Sequence, residues 1–341
     1  MNNASSVTAP QTTTLRIFNN KDYVHNYMAT DMADFAAGCK IQSGYANLDA
    51  ITSIYPGLYT IGAISSLGKT TFIHQMADQV AMQGHPVIYF SLEQSTPELV
   101  SKSLSRIMSQ TYRDAMTSLQ IRKHFDDPRL PAVIEKYDTY CEQIMTVECS
   151  FAATIDNIEQ VVDQYIATTN RKPLIVVDYL QVIKAPANCR LSSKELVDMH
   201  VQRLKQLQDK HKIPMIVISS FNRQNYLCEV DFESFKESGG IEYTADVVWG
   251  LQLQALHDSE FTTTNSTSKK RLILQKAKAA IPRRIELVCL KNRFGISSYR
   301  CQYNYFPQYD YFRPDLSNSQ TANVDTVDPD TITKVPDYML N

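Results

Sequence analysis

No C-x-x-C pair occurs anywhere in the 341 residues. The seven cysteines (Cys39, Cys141, Cys149, Cys189, Cys228, Cys289 and Cys301) are odd in number and scattered. Neither a disulfide framework nor a zinc site is indicated, and a reducing compartment is the plain reading. Charge of one sign is also missing: 34 Lys and Arg face 36 Asp and Glu, a formal net of -2. That excludes a wholly basic coat or histone-like protein and leaves room for a local basic channel. No apolar run approaches the roughly 18 residues that span a bilayer, and the opening MNNASSVTAPQTTT lacks the charged and apolar regions of a signal peptide. A soluble, cytoplasmic protein without a membrane partner is expected. Repeats at a period of roughly 20 to 50 residues are absent as well. What is present is the balance of a globular protein with a real core, 43% hydrophobic and 21% charged, at a length that suits one large domain.

Residues 1–20 and 314–341 offer little to bury and read as flexible tails, the second with an acidic bias. Residues 21–40 form a separate arm in which Val24, Tyr27, Met28, Met32 and Phe35 recur at helical spacing over 21–37. From Leu58 onward, β-rich runs (LYTIGAI, PVIYFS, LIVVD, PMIVIS) alternate with helical patterns over 69–83, 97–109 and 193–211. The alternation predicts an α/β fold, a mostly parallel sheet with crossover helices, over a domain at 41–313. The stretch 111–150 reads as mostly helical. After Asp246 the pattern turns strand-like without intervening helices (DVVWGLQL, RRIELVCL, SSYRCQYNYF), which predicts an antiparallel extension.

The run Ala63-Ile64-Ser65-Ser66-Leu67-Gly68-Lys69-Thr70-Thr71 lies between a strand and a helix, the setting of a phosphate-binding loop. Its backbone N–H groups would cradle the phosphates of ATP, Lys69 would reach the β- and γ-phosphates, and the Thr70 hydroxyl would ligate Mg²⁺. Ala63 stands where the strict motif has glycine, so the match is to a relaxed form. The competing reading is a glycine turn before an ordinary helix.

Two carboxylates end strands in the same half of the pattern, Glu93 after PVIYFSL and Asp178 after LIVV. In a parallel sheet the strand C-termini share one edge with the phosphate loop. Asp178 then suits the metal-holding position, and Glu93 suits the base that orients and deprotonates an attacking water. The alternatives are a turn residue for Asp178 and a helix cap for Glu93, because Ser95, Thr96 and Pro97 begin a helix directly after it.

In order and spacing these motifs resemble the C-terminal ATPase domain of DnaB-type replicative helicases, a hexameric RecA-like family. The resemblance runs from IQSGYANLD through AISSLGKTTF, FSLEQSTPELVSKSLSR, VVDYLQVI, ISSFNR and FKESGGIEYTADVV to LKNRFG, about residues 41–310. It implies a P-loop NTPase core and the same roles for Lys69, Thr70, Glu93 and Asp178. It also implies a finger that completes a neighbour's site, falling on Lys291 and Arg293, and a DNA-backbone loop at Lys236, Glu237 and Gly239. A ring of copies, expected hexameric, would move 5′ to 3′ on the single-stranded DNA it encircles, with a primase or a loader as a further partner. The helix over 21–37 resembles the linker helix that docks on the neighbouring subunit, its alternative being packing on its own. Two departures stand out. Ser220 occupies the family's γ-phosphate-sensing glutamine position, leaving Asn222 and Arg223 as substitutes. The family's amino-terminal collar is missing, which suggests the motor half of a primase-helicase or a stand-alone motor of a mobile element.

From Lys269 to Arg293 nine basic residues face one acid, Glu286. Such a run can track phosphates or form a solvated hairpin. The Gly239-Gly240 loop, flanked by Lys236 and Arg223, is the favoured single-strand contact, and Arg190 and Lys194 form a second candidate loop. The Tyr-rich QYNYFPQYDYF reads as edge-strand packing. Rival readings are a recombinase-like or KaiC-like ATPase that does not unwind, and a loader or scaffold switched by nucleotide. An intact Glu93 favours hydrolysis over switching.

Overall fold

Six of the apolar runs lie side by side in one sheet, all pointing the same way. In the computed structural model the described residues are 17–38, 41–149, 153–185, 190–222, 226–235 and 239–317. The chain falls into two units, Met1–Ala37 and Gly38–Asn341.

The first unit carries α1 (Asn20–Asn26) and the bulk of α2 (Met28–Gly38). The Asn19 side chain caps α1 by accepting the Asp22 N–H at 2.9 Å. The single helix expected over 21–37 is therefore two, parted at Tyr27, with the Tyr23 hydroxyl donating to Asp31 Oδ2 at 2.8 Å across the break.

The second unit opens with α3 (Ala46–Asp49) and β1 (Gly57–Ala63), followed by α4 (Lys69–Met82), β2 (Val87–Ser91) and α5 (Thr96–Thr111). Two short helices, α6 (Ser118–Lys123) and α7 (Leu130–Asp138), lead to β3 (Ile144–Glu148). The alternation resumes with α8 (Ile155–Thr169), β4 (Leu174–Asp178), α9 (Ser193–His211) and β5 (Pro214–Ser220). Next come α10 (Gly239–Thr244), β6 (Val247–Leu253), α11 (Ser259–Thr263) and α12 (Thr267–Ala279), before β7 (Arg283–Asn292), β8 (Arg300–Phe306) and β9 (Tyr311–Pro314).

The nine strands order as β3-β2-β4-β5-β1-β6-β7-β8-β9. Pairing is parallel from β3 through β6 and antiparallel from β6 to β9. Strands buried on both faces read as unbroken apolar runs, and all of β1 and β4 is buried. Alternate side chains feed two cores: Tyr59 and Ile61 meet α4 and α5 on one face, and Leu58 meets α8 and α9 on the other. The Tyr-rich stretch supplies β8 and β9, where Tyr303 and Phe312 pack on Phe72 of α4 as the edge-strand reading expected.

Three local expectations change. The 111–150 stretch ends in a strand, because IMTVE completes the parallel edge beside β2. Helices α11 and α12 intervene after β6; α12 fully buries only Leu274, too narrow an apolar face to stand out from its lysines. The Gly239-Gly240 pair is no open loop: it starts α10, and the Gly240 N–H already donates to Asp198 Oδ1 at 2.8 Å.

Candidate functional site

Parallel pairing brings the C-terminal ends of four strands to one edge, with Ala63 opposite Ser220 and Ser91 opposite Asp178. Helix α4 starts at that edge behind Gly68, whose φ of 99° is left-handed. A Cβ there would lie 2.9 Å from the Phe312 ring, so the position admits no side chain. No side chain caps α4, which leaves its first N–H groups for an anion. The Lys69 ammonium donates to Ala63 O at 3.0 Å. Burial lowers its pKa to about 8, against the opposing charges of Asp178 and Glu93.

Asp178 sits behind Lys69, buried at the end of β4. It accepts from the Thr70 hydroxyl at 3.2 Å and the Tyr89 hydroxyl at 2.8 Å. Burial raises the pKa of its carboxyl, and those two hydrogen bonds oppose the shift. A hydroxyl and a carboxylate oxygen converging at a helix N-terminus form the hard-oxygen donor set that Mg²⁺ takes. Glu93 lines the same cleft of about 490 Å³ and is exposed in it. The helix-cap alternative for Glu93 fails, because Glu98 accepts the Ser95 N–H at 2.9 Å and Glu148 accepts the Thr96 N–H at 2.8 Å. Of the loop residues expected to meet nucleotide, Ala63, Ser65, Ser66, Gly68, Lys69, Thr70 and Thr71 line the cleft. The Leu67 side chain turns into the core instead.

Several cleft residues carry no local motif and escaped the sequence reading. Lys102 of α5 reaches the cleft and pairs with Asp310 at 3.6 Å, and Asp310 also accepts from the Thr71 hydroxyl at 3.2 Å. Tyr305 lines the wall with the Arg283 guanidinium 5.4 Å over its ring. Lys278 donates to Ser65 O at 2.7 Å and Arg283 to Ser66 O at 2.8 Å. Below the loop, Arg106 and Asp78 form a buried pair at 2.7 Å, joined by Ser103 donating to Asp78 at 2.7 Å.

Of the three candidates for γ-phosphate sensing, Ser220 lines the cleft. Asn222 is committed elsewhere, donating through Nδ2 to Glu233 O and Phe235 O, both at 3.2 Å. Arg223, Lys236 and Glu237 lie outside the described residues. Gly239 and Lys194 come together, since a Cβ on Gly239 would be 3.6 Å from Lys194 Cε. Arg190 is exposed just before α9.

Lys291 and Arg293 sit at the opposite end of the sheet from the phosphate loop. Asn292 pairs with Val247, which is level with Tyr59, four residues or about 13 Å of strand below Ala63. Arg293 pairs there with Asp246 at 3.0 Å, and Lys291 donates to Glu242 O at 2.6 Å. Neither side chain lines the cleft of its own chain.

The DnaB-like helicase C-terminal domain model matches residues 40–312. The replicative DNA helicase DnaB of Buchnera aphidicola subsp. Baizongia pistaciae is 30% identical over 223 residues, which cover 64% of this chain and 47% of that protein. The Haemophilus influenzae protein of the same name is 24% identical over 217 residues, covering 61% and 45%. The chain thus spans about half the length of the curated relatives it matches. Among solved structures, a DnaB-like replicative helicase studied with its primase interactions superposes at TM-score 0.66 and 19% identity, covering 87% of this chain and 67% of that one. A helicase-sized ATPase domain gives the same score and identity over 86% and 97%. These structural likenesses fix the fold as that of RecA-like ATPase domains. Among the described residues no helix is long and apolar enough to cross a membrane.

Proposed function

The chain belongs to the DnaB-like helicase C-terminal domain family, and from that premise we propose that it is an ATP-hydrolysing motor that translocates on single-stranded DNA, 5′ to 3′, and unwinds duplex as a ring of copies, expected hexameric, in the cytoplasm. The observation that carries the reading is the convergence of Lys69, Thr70, Asp178 and Glu93 on one cleft. The N–H groups at the start of α4 and the Lys69 ammonium hold the β- and γ-phosphates. Thr70 and Asp178 would hold Mg²⁺ through their oxygens; when bound, the ion neutralises charge on the β- and γ-oxygens. Glu93 accepts a proton from water as its oxygen attacks the γ-phosphorus. The bond to the β–γ bridging oxygen breaks and ADP leaves. Arg293, with Lys291 assisting, acts on the neighbour's γ-phosphate. A planar guanidinium suits that spread charge, and about 13 Å of strand separates it from its own site. Lys194 and Gly239, with Lys236, Glu237, Arg190 and Arg223, are the candidates for holding the strand. The arm of α1 and α2 docks on the next subunit, and a primase or a loader is the further protein partner.

The test is steady-state ATP turnover with and without single-stranded DNA, followed by strand displacement on a fork with a 5′ tail, on one preparation. Turnover stimulated by DNA together with displacement supports the reading. Stimulated turnover without displacement selects a recombinase-like ATPase, and nucleotide binding without turnover selects a switched scaffold.

A further inference from the structure

Resting on the reading of a DNA-dependent motor, we propose that the outward side of α12 is a second nucleic-acid backbone site, separate from the Lys194–Gly239 region. Between Glu260 and Glu286 the chain has seven basic residues and no acid. Elsewhere in the molecule cations are matched: Arg106, Arg129, Arg203, Lys205, Lys210, Arg293 and Arg300 all make ion pairs. On α12, Lys269, Arg271 and Lys276 are exposed, and among the described residues none of them has an ion-pair partner. Glu286, the acid that ends the run, is buried and accepts from Arg300 at 2.8 Å, so it offers α12 no counter-charge.

Like charges crowded on one helix repel, so an unpaired cluster on a chain of net charge -2 calls for an outside anion. Its size selects the class. Lys269 and Lys276 are seven residues apart on one side of the helix, about 10 Å along the axis, which suits successive phosphates of a strand better than one small anion. Its place separates it from the other candidates. Leu274 of α12 packs into the core cluster shared with α4, whereas α9 and α10, which carry Lys194 and Gly239, pack into the cluster on the opposite face of the sheet. A strand on α12 is therefore held apart from one lying along Lys194 and Gly239.

The inward side of the same helix touches the nucleotide cleft. Lys278 donates to Ser65 O at 2.7 Å, and Arg283, just after α12, donates to Ser66 O at 2.8 Å. Occupancy of the basic face is thus mechanically joined to the phosphate loop, the kind of shared element through which two ligands alter each other's affinity.

The experiment uses the full chain and its triple variant Lys269→Gln, Arg271→Gln, Lys276→Gln, all exposed positions, with Lys194→Gln as comparison. Fluorescence anisotropy with labelled oligothymidylate is followed from low to moderate salt, and far-UV circular dichroism checks the fold. The plot of log affinity against log salt should be shallower by about 2 for the triple variant, at about 0.7 per lost phosphate contact, and by about 0.7 for Lys194→Gln. A triple variant with the wild-type slope overturns the proposal while DNA binding itself stands. Absence of oligonucleotide binding by the wild type removes both the proposal and the motor reading. Binding of polyglutamate lost in the triple variant, with the DNA slope unchanged, would assign the surface to an acidic protein and overturn it too.

Discussion

Arg293 Nη1 lies 3.0 Å from Asp246 Oδ1, on a carboxylate whose other oxygen already accepts from Lys205 Nζ at 2.7 Å and the Leu58 N–H at 2.9 Å. The pairing partner is buried, but the guanidinium side chain is 53% exposed at the sheet end remote from the phosphate loop. Asp246 does not depend on Arg293 for its hydrogen bonds. Arg293→Ala should therefore cost only ~0–1 kcal/mol of stability. It should leave fluorescent-nucleotide affinity unchanged, yet lower turnover by about 10³ if the guanidinium serves a neighbour's γ-phosphate.

Lys69 gives a pH signature. Its folded pKa of about 8 lies below the ordinary 10.5, so between these values the unfolded chain binds more protons, and stability from this group rises with pH across the window. Bound phosphate favours the ammonium and raises its pKa again. Nucleotide binding near pH 8 should thus take up a fraction of a proton, read by calorimetry in buffers of different ionisation enthalpy, and affinity should fall as pH rises above 8. The uptake should vanish in Lys69→Ala.

Asp178 is held as a buried acid whose pKa is raised by burial. Above that raised value its charge opposes folding, so neutralisation should relieve the nucleotide-free protein. Asp178→Asn is expected to raise the melting temperature at neutral pH and to abolish Mg²⁺-dependent turnover. A lower melting temperature would mean that the bonds from Thr70 and Tyr89 outweigh desolvation.

The Arg106–Asp78 pair ties α5 to α4 inside the core. Removing one partner strands the other, so Arg106→Ala should destabilise by ~3–5 kcal/mol in urea titrations. The loss should shrink in acid, where Asp78 can take a proton, since burial already pushes its pKa up and Arg106 opposes that push.

Much of this was legible in the sequence. Lys69, Thr70, Glu93 and Asp178 each follow an apolar strand run, so alternation alone brought them to one edge. The unread part has physical reasons. Lys102, Tyr305 and Asp310 reach the cleft from α5 and the far end of the chain, and no spacing rule links them to residue 69. The strand IMTVE at the sheet edge is only partly buried, so its pattern lacks the apolar density of LIVVD. Helix α12 was hidden because its lysines and RLIL run imitate a basic hairpin, while Ser266, which caps it by accepting the Lys269 N–H, was the available signal.

The most direct test of a site shared between subunits is ATP turnover in rings mixed from Lys69→Ala and Arg293→Ala proteins, with mixing verified by native mass spectrometry. An Arg293→Ala subunit keeps a sound phosphate loop, and a Lys69→Ala neighbour can lend it an intact guanidinium. The account predicts turnover in the mixture well above that of either variant alone. Turnover in verified mixed rings no greater than in the separate variants would contradict it.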